Sequence, residues 1–288
     1  MEPPDDLFHQ QEREVGRYAD KRSARMLRLL ETARKELSAT IGDAESFTAR
    51  RVADLNAQID SIMSDLRKDI RGVGEAATDL GKMAAAHLEA SIAAVSSVSV
   101  SISFNSLNID VLRKFSSNEV ARIAKLVEAE REVIRSVLFT KVGVQGENPR
   151  QVAKRLAGPN SQFAGRFGHV ENILRTETST IYNAQSLEGI EIANKGYDLG
   201  LNKRIIETID AKRNHPISQV LNGQVQKTGE PFRASVPAVA AKAAALHKSV
   251  SGIFWPVKAG FYEGDRLPAH YRERGIVVPT EKPVNAPK

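Results

Sequence analysis

Between Pro4 and Pro149 the chain contains no proline, and ten of its twelve prolines lie from Pro149 onward. Proline fixes φ, donates no backbone hydrogen bond and collides with the preceding helical turn, so a long proline-free stretch is where long helices can form. This stretch is also rich in Ala, Leu, Arg and Glu, residues that lose little freedom in a helix. The first half is therefore predicted to be helical, and the second half, broken repeatedly by proline, to be mixed.

Apolar spacing agrees. Met26, Leu30, Ala33, Leu37 and Ile41 step by four, three, four and four, which places them on one helical face. Gly42 and Asp43 then supply a stop and a new N-cap. Val52, Leu55, Ile59, Ile62, Leu66, Ile70 and Val73 follow in threes and fours, close to a heptad seam. Two uses of that seam compete: self-association through residues 52–73, or packing against the neighbouring helix. Gly72, Gly74 and Gly81 interrupt the heptads, which favours packing. An alanine-rich continuation runs from Glu75 to Val95 and carries His87 as a surface or packing residue.

From Val98 to Phe104 apolar residues alternate with serine, the period of a half-buried strand. Asn108 is predicted to cap a short helix over Ile109–Phe115, and Ser117 or Asn118 a longer one to Val142. Pro149 opens a short helix that ends at Ala157-Gly158-Pro159-Asn160, with a domain boundary between there and Gly168. A further helix is expected from Val170 to Asn194. The run Arg204 to Ile209 reads as a strand. A polar cluster of Asp210, Lys212, Arg213, Asn214 and His215 follows, and Pro216 stops any helix from crossing it. Asn222-Gly223 is a tight-turn signal, and Gly229-Glu230-Pro231-Phe232 a second one. The centre of the C-terminal part is thus predicted as a strand, a charged elbow and a hairpin. Ala238–His247 is expected as a short helix and Ser251–Val257, with the single tryptophan, as a second strand.

The fold class predicted is α+β: a long helical N-terminal region followed by a small mixed α/β domain with a short antiparallel sheet. In sequence order this gives an extended helical arm at 1–97, a strand and helices at 98–160, a compact domain at 161–278 and a polar, proline-punctuated flexible tail at 279–288.

The order of Asp210, Arg213, His215, Leu221-Asn222-Gly223 and Phe232 resembles the C-terminal signature of the phage Mu F-type minor head proteins. Two outlying pieces agree with it. Leu174-Arg175-Thr176-Glu177-Thr178, followed by Asn183-Ala184, is similar to that family's Arg-Thr-Glu-Thr helix. Leu267-Pro268-Ala269-His270-Tyr271-Arg272 stands where family members usually carry Pro-x-His-Pro-x-Cys-Arg-Cys, but this chain contains no cysteine. The resemblance covers residues 165 to 275. It implies a head-morphogenesis protein of the virion, made in the host cytoplasm. Such a protein joins the procapsid near the portal, binds portal or major capsid protein and influences DNA packaging or ejection. It marks Arg175, Glu177, Asp210, Arg213, His215, Asn222, Gly223, Phe232 and His270 as motif residues. An ejected internal virion protein is the alternative.

Composition narrows the remaining classes. No run of 18 or more apolar residues occurs, so no membrane span is expected, and the acidic start Met1–Asp6 does not resemble a signal peptide. The absence of cysteine excludes disulfides and thiolate zinc sites. The net charge of +6 is uneven: residues 1–105 hold 14 Lys/Arg against 17 Asp/Glu, and residues 106–288 hold 27 against 18. The C-terminal part is therefore the part expected to face packaged DNA.

An enzyme would have to use Asp210 and His215, with Arg175, Glu177 and His270 as companions. Asp beside His is a familiar acid–base arrangement. However, no nucleophile elbow, His-Glu-x-x-His, phosphate loop or dinucleotide fingerprint accompanies them. A metal on Asp210, His215 and His270 would draw on ligands scattered in sequence. The reading adopted is architectural: no catalysis, no cofactor and no metal, with Arg175 and Glu177 facing the Asp210–Arg213–His215 elbow in an ion-pair network that locks helix to hairpin.

Overall fold

The structure, a computed structural model, describes residues 5–43, 49–74, 77–96, 98–102, 109–145, 147–208, 214–264, 267, 269 and 275–285. Its fold is α+β, with a long helical N-terminal region and two small antiparallel sheets. Helices α1 (Asp5–Gly42), α2 (Ala49–Gly74), α3 (Ala77–Ser96) and α4 (Ile109–Val137) fill the first half. A π-helix (Leu138–Val144), α5 (Pro149–Ala157), α6 (Gln162–Gly165) and α7 (Phe167–Tyr197) follow. The rest holds β1 (Asn202–Ile206), α8 (Pro216–Leu221), β2 (Val225–Gln226), β3 (Phe232–Ser235) and α9 (Val236–Leu246), then β4 (Val257–Lys258), β5 (Phe261–Gly264) and β6 (Ile276–Thr280).

The chain divides into two compact units that interleave in sequence. The helical unit comprises Lys21–Glu75 and Ser116–Leu174; the mixed unit comprises Met1–Asp20, Ala76–Phe115 and Arg175–Lys288. The sequence predicts domains laid end to end. The structure instead draws each unit from separated segments, because α1, α4 and α7 each contribute residues to both.

In the helical unit, Met26, Leu30, Ala33, Leu37 and Ile41 are all buried, as their spacing predicts. On α2 the buried line is Leu55, Ile59, Met63 and Leu66, with Ile62 only partly covered. That face lies in the unit's own core from Leu55 to Leu66; the side chains of Val52, Ile70 and Val73, the rest of the seam considered for self-association, lie outside the described residues. Outside the core, α2 and α4 are joined by charge. Arg67 meets Glu128 (2.6 Å), Arg131 reaches Glu128 (2.5 Å) and Asp60 (3.8 Å), and Arg135 lies 3.5 Å from Asp60. Arg34 donates to the Ala157 carbonyl (2.8 Å), satisfying an acceptor at the exposed-dipole end of α5. Asn148 caps α5, its side chain accepting from the Arg150 N–H, with Pro149 in the first turn. The break predicted at Ser117 is absent: α4 runs through it, and the departure comes later, where helical bonding loosens to the i→i+5 π pattern after Val137.

The mixed unit is built on two three-stranded antiparallel sheets, ordered β2-β1-β6 and β3-β5-β4. β1 pairs with β6 from Asn202 opposite Thr280 to Ile206 opposite Ile276. Ile205, Ile206, Ile276, Val277 and Val278 are buried, with Leu80, Leu88 and Ile92 of α3 and Ile181, Tyr182 and Ile190 of α7 in the same core. Gly189 is what brings α7 close to α3, since a Cβ there would overlap the Leu88 side chain at 2.0 Å. Residues 98–102 form no strand, although Val100 and Ile102 are buried as their alternation predicts; Phe104 lies outside the described residues. Within the expected flexible tail, Pro279 and Thr280 belong to β6 and Asn285 bonds Val225 and Gly223; residues 286–288 lie outside the described residues.

Candidate functional site

Of the described motif residues, Asn222 and Gly223 lie against the end of β1, bonding Glu207 and Ile205. The expected hairpin is not formed there. Pro216 starts α8, and Asn222-Gly223 closes that helix before β2 turns back on β1. Proline at the first turn loses no helical hydrogen bond, which is why it begins this helix as readily as it would end another. Gly223 has φ +78°, a left-handed conformation that side chains with a Cβ avoid, and its N–H donates to the Ile205 carbonyl (2.9 Å).

His215 is the N-cap of α8. Its Nδ1 accepts the Ile217 N–H (3.3 Å), so Nε2 carries the proton and donates to the Ser251 carbonyl (3.1 Å). Burial pushes its pKa down, and the nearby Lys248 ammonium pushes the same way against the Ser251 bond. Both nitrogens of a neutral ring are thus engaged by backbone, which is an architectural use of histidine. Lys248 donates to the Asn214 carbonyl (2.6 Å), and the Asn214 amide donates to the buried Glu207 carboxylate.

Amide side chains serve as surrogate strand partners around these sheets. Asn222 Oδ1 accepts the Glu207 N–H (2.9 Å). Asn183 of α7, fully buried, donates to the Gly275 carbonyl (3.1 Å) and accepts the Val277 N–H (2.7 Å). Asn194 makes the same two-way pair with Leu201, at 2.8 Å in each direction. Gln224 does so with Arg233, stitching the approach to β2 to β3 and so one sheet to the other. Each amide combines N–H donors with a carbonyl acceptor, matching the backbone groups that an irregular strand end leaves over.

Phe232 is fully buried, and the Lys203 ammonium, itself only 1% exposed, sits 4.6 Å from its ring centroid. Arg175 pairs with Asp20 of α1, a tie between α7 and α1. Glu177 is buried on the same helix. Asp210, Arg213 and His270 lie outside the described residues.

Two parts of the site carried no sequence signal. Glu12 of α1 accepts from the Thr208 N–H (2.9 and 3.0 Å) and hydroxyl (2.5 Å), holding the chain just past β1. His87, expected to be a lone packing residue, forms a relay instead. Glu14 can only accept, so His87 Nε2 donates to it (2.9 Å), and Nδ1 then accepts from the Tyr182 hydroxyl (3.0 Å). The partners lie 73 and 95 positions away, beyond any local pattern. Burial raises the Tyr182 pKa and lowers that of His87. Among the described residues, no group of three His, Asp or Glu side chains is placed to hold a metal, and no helix is long and apolar enough to cross a membrane. No family model, curated protein or solved structure matches the chain.

Proposed function

We propose that this chain is a phage minor head protein that joins the procapsid at or near the portal, through contacts with portal or major capsid protein, and acts in head assembly. The observation that carries the reading is the ordered motif itself. Its described members Arg175, Glu177, His215, Asn222, Gly223 and Phe232 all belong to the mixed unit. The contacts described for them, the His215 cap, the Asn222 and Arg175 pairings and the buried Phe232, support an architectural reading of the motif. His215, the residue an enzyme would need most, has both nitrogens occupied by backbone groups.

Cross-linking mass spectrometry on purified particles, with copy number counted from the same sample, tests this. Links to portal or shell subunits at a few copies per particle are expected. A chain absent from particles, or present without such links, would overturn the proposal.

A further inference from the structure

On α1, Lys21, Arg25 and Arg28 step by four and three, so they share a helical face, and all three are exposed. Among the described residues no carboxylate pairs with any of them. Arg28 Nε donates to the Ala24 carbonyl (3.2 Å), which directs its guanidinium without consuming its charge. The acidic residues that flank the stripe are occupied elsewhere: Asp20 by Arg175, and Glu31 by Arg34 at 2.5 Å. The opposite face, Met26, Leu30 and Ala33, is buried, so these cations stand on a packed helix. The helical unit as a whole holds 20 Lys/Arg against 15 Asp/Glu, which is +5 of the chain's +6. This charge sits partly in the N-terminal third, which is net acidic when counted along the sequence.

We infer that the stripe binds the phosphodiester backbone of nucleic acid without reading its sequence. Successive cations rise about 6 and 4.5 Å along the helix axis, within the reach of long side chains contacting phosphates spaced about 3.4 Å per strand along a duplex. A linear row of point charges on a polar face matches a linear polyanion. A membrane surface would also need apolar residues to insert, and the apolar face of this helix is already committed to the core. The inference does not depend on the head-assembly reading.

The test is fluorescence anisotropy of the full chain with a labelled 30-base-pair duplex between 50 and 200 mM salt. For the triple variant Lys21→Ala/Arg25→Ala/Arg28→Ala, the slope of log K against log salt is expected to fall by about 2 to 3, each lost phosphate contact removing about 0.9. The double variant Arg150→Ala/Lys154→Ala, which removes exposed cations of α5 in the same unit, is the control and should leave most of the slope intact. If the triple variant melts lower than wild type, the single Lys21→Ala variant decides, with an expected loss of about 0.9. Four results would overturn the inference: no salt-dependent binding by the wild type, a wild-type slope in the triple variant, an equal loss in the α5 control, or binding to phosphatidylserine vesicles in preference to duplex.

Discussion

His215 and His87 show what the same residue type does in two buried settings. Each is neutral in the fold, one capping a helix and the other relaying between a carboxylate and a buried tyrosine. Burial is the leading cause of the lowered pKa in both, with Lys248 adding to it at His215 and Glu14 opposing it at His87. A native pKa below the unfolded value of about 6.5 means that the unfolded chain binds more protons in the interval between the two. The histidine contribution to stability is therefore whole above pH 6.5 and declines as pH falls beneath it. The urea midpoint is expected to be lower at pH 5.5 than at pH 7.5. His215→Asn keeps an N-cap acceptor but loses the titrating ring, so it should show a smaller drop; a drop equal to wild type would mean that His215 does not contribute. The N-cap role was legible from His215-Pro216 only in part, because proline marks a boundary without saying whether a helix ends or begins there.

At the scale of elements, the strands are short, and side chains complete their edges. Gln224, Asn183, Asn194 and Asn222 supply the pairing that two- to five-residue strands cannot. Close backbone approach does comparable work in the second sheet. Gly264, opposite Phe232, lies under the indole of Trp255, where a Cβ would fall 2.1 Å from Cε2 and 2.4 Å from Nε1. Gly264→Ala should displace the ring and cost about 1–3 kcal/mol, the usual range for overpacking a filled site. Because Trp255 is the single tryptophan and is buried, its emission maximum reports the outcome directly: a red shift is expected, and an unchanged spectrum would show that the sheet yields without strain. The glycine itself was unremarkable in sequence, since nothing local tells it that an indole nine residues earlier will fold over it.

For the whole molecule, the interleaving of the two units has an experimental consequence. The domain predicted from sequence at 161–278 lacks Phe8 and Val15 of α1 and Leu80, Leu88 and Ile92 of α3, all buried in the mixed unit's core. Expressed alone, that fragment would leave Ile181, Tyr182 and Ile190 without their packing partners. It is expected to unfold without a cooperative urea transition, whereas the full chain shows one; a sharp transition in the fragment would contradict the division described above.

The sequence by itself determined the fold class, the long helices and most of their buried faces, because proline exclusion and apolar period act over a few turns of chain. Tertiary structure alone decided which helical segments share a core, that the Asn-Gly turn closes a helix rather than a hairpin, and that Arg175 reaches Asp20. It likewise placed Asn285 against Val225 and Gly223. These outcomes depend on partners dozens to nearly two hundred positions apart. Local propensity carries no information at that distance, and the burial of apolar faces decides instead.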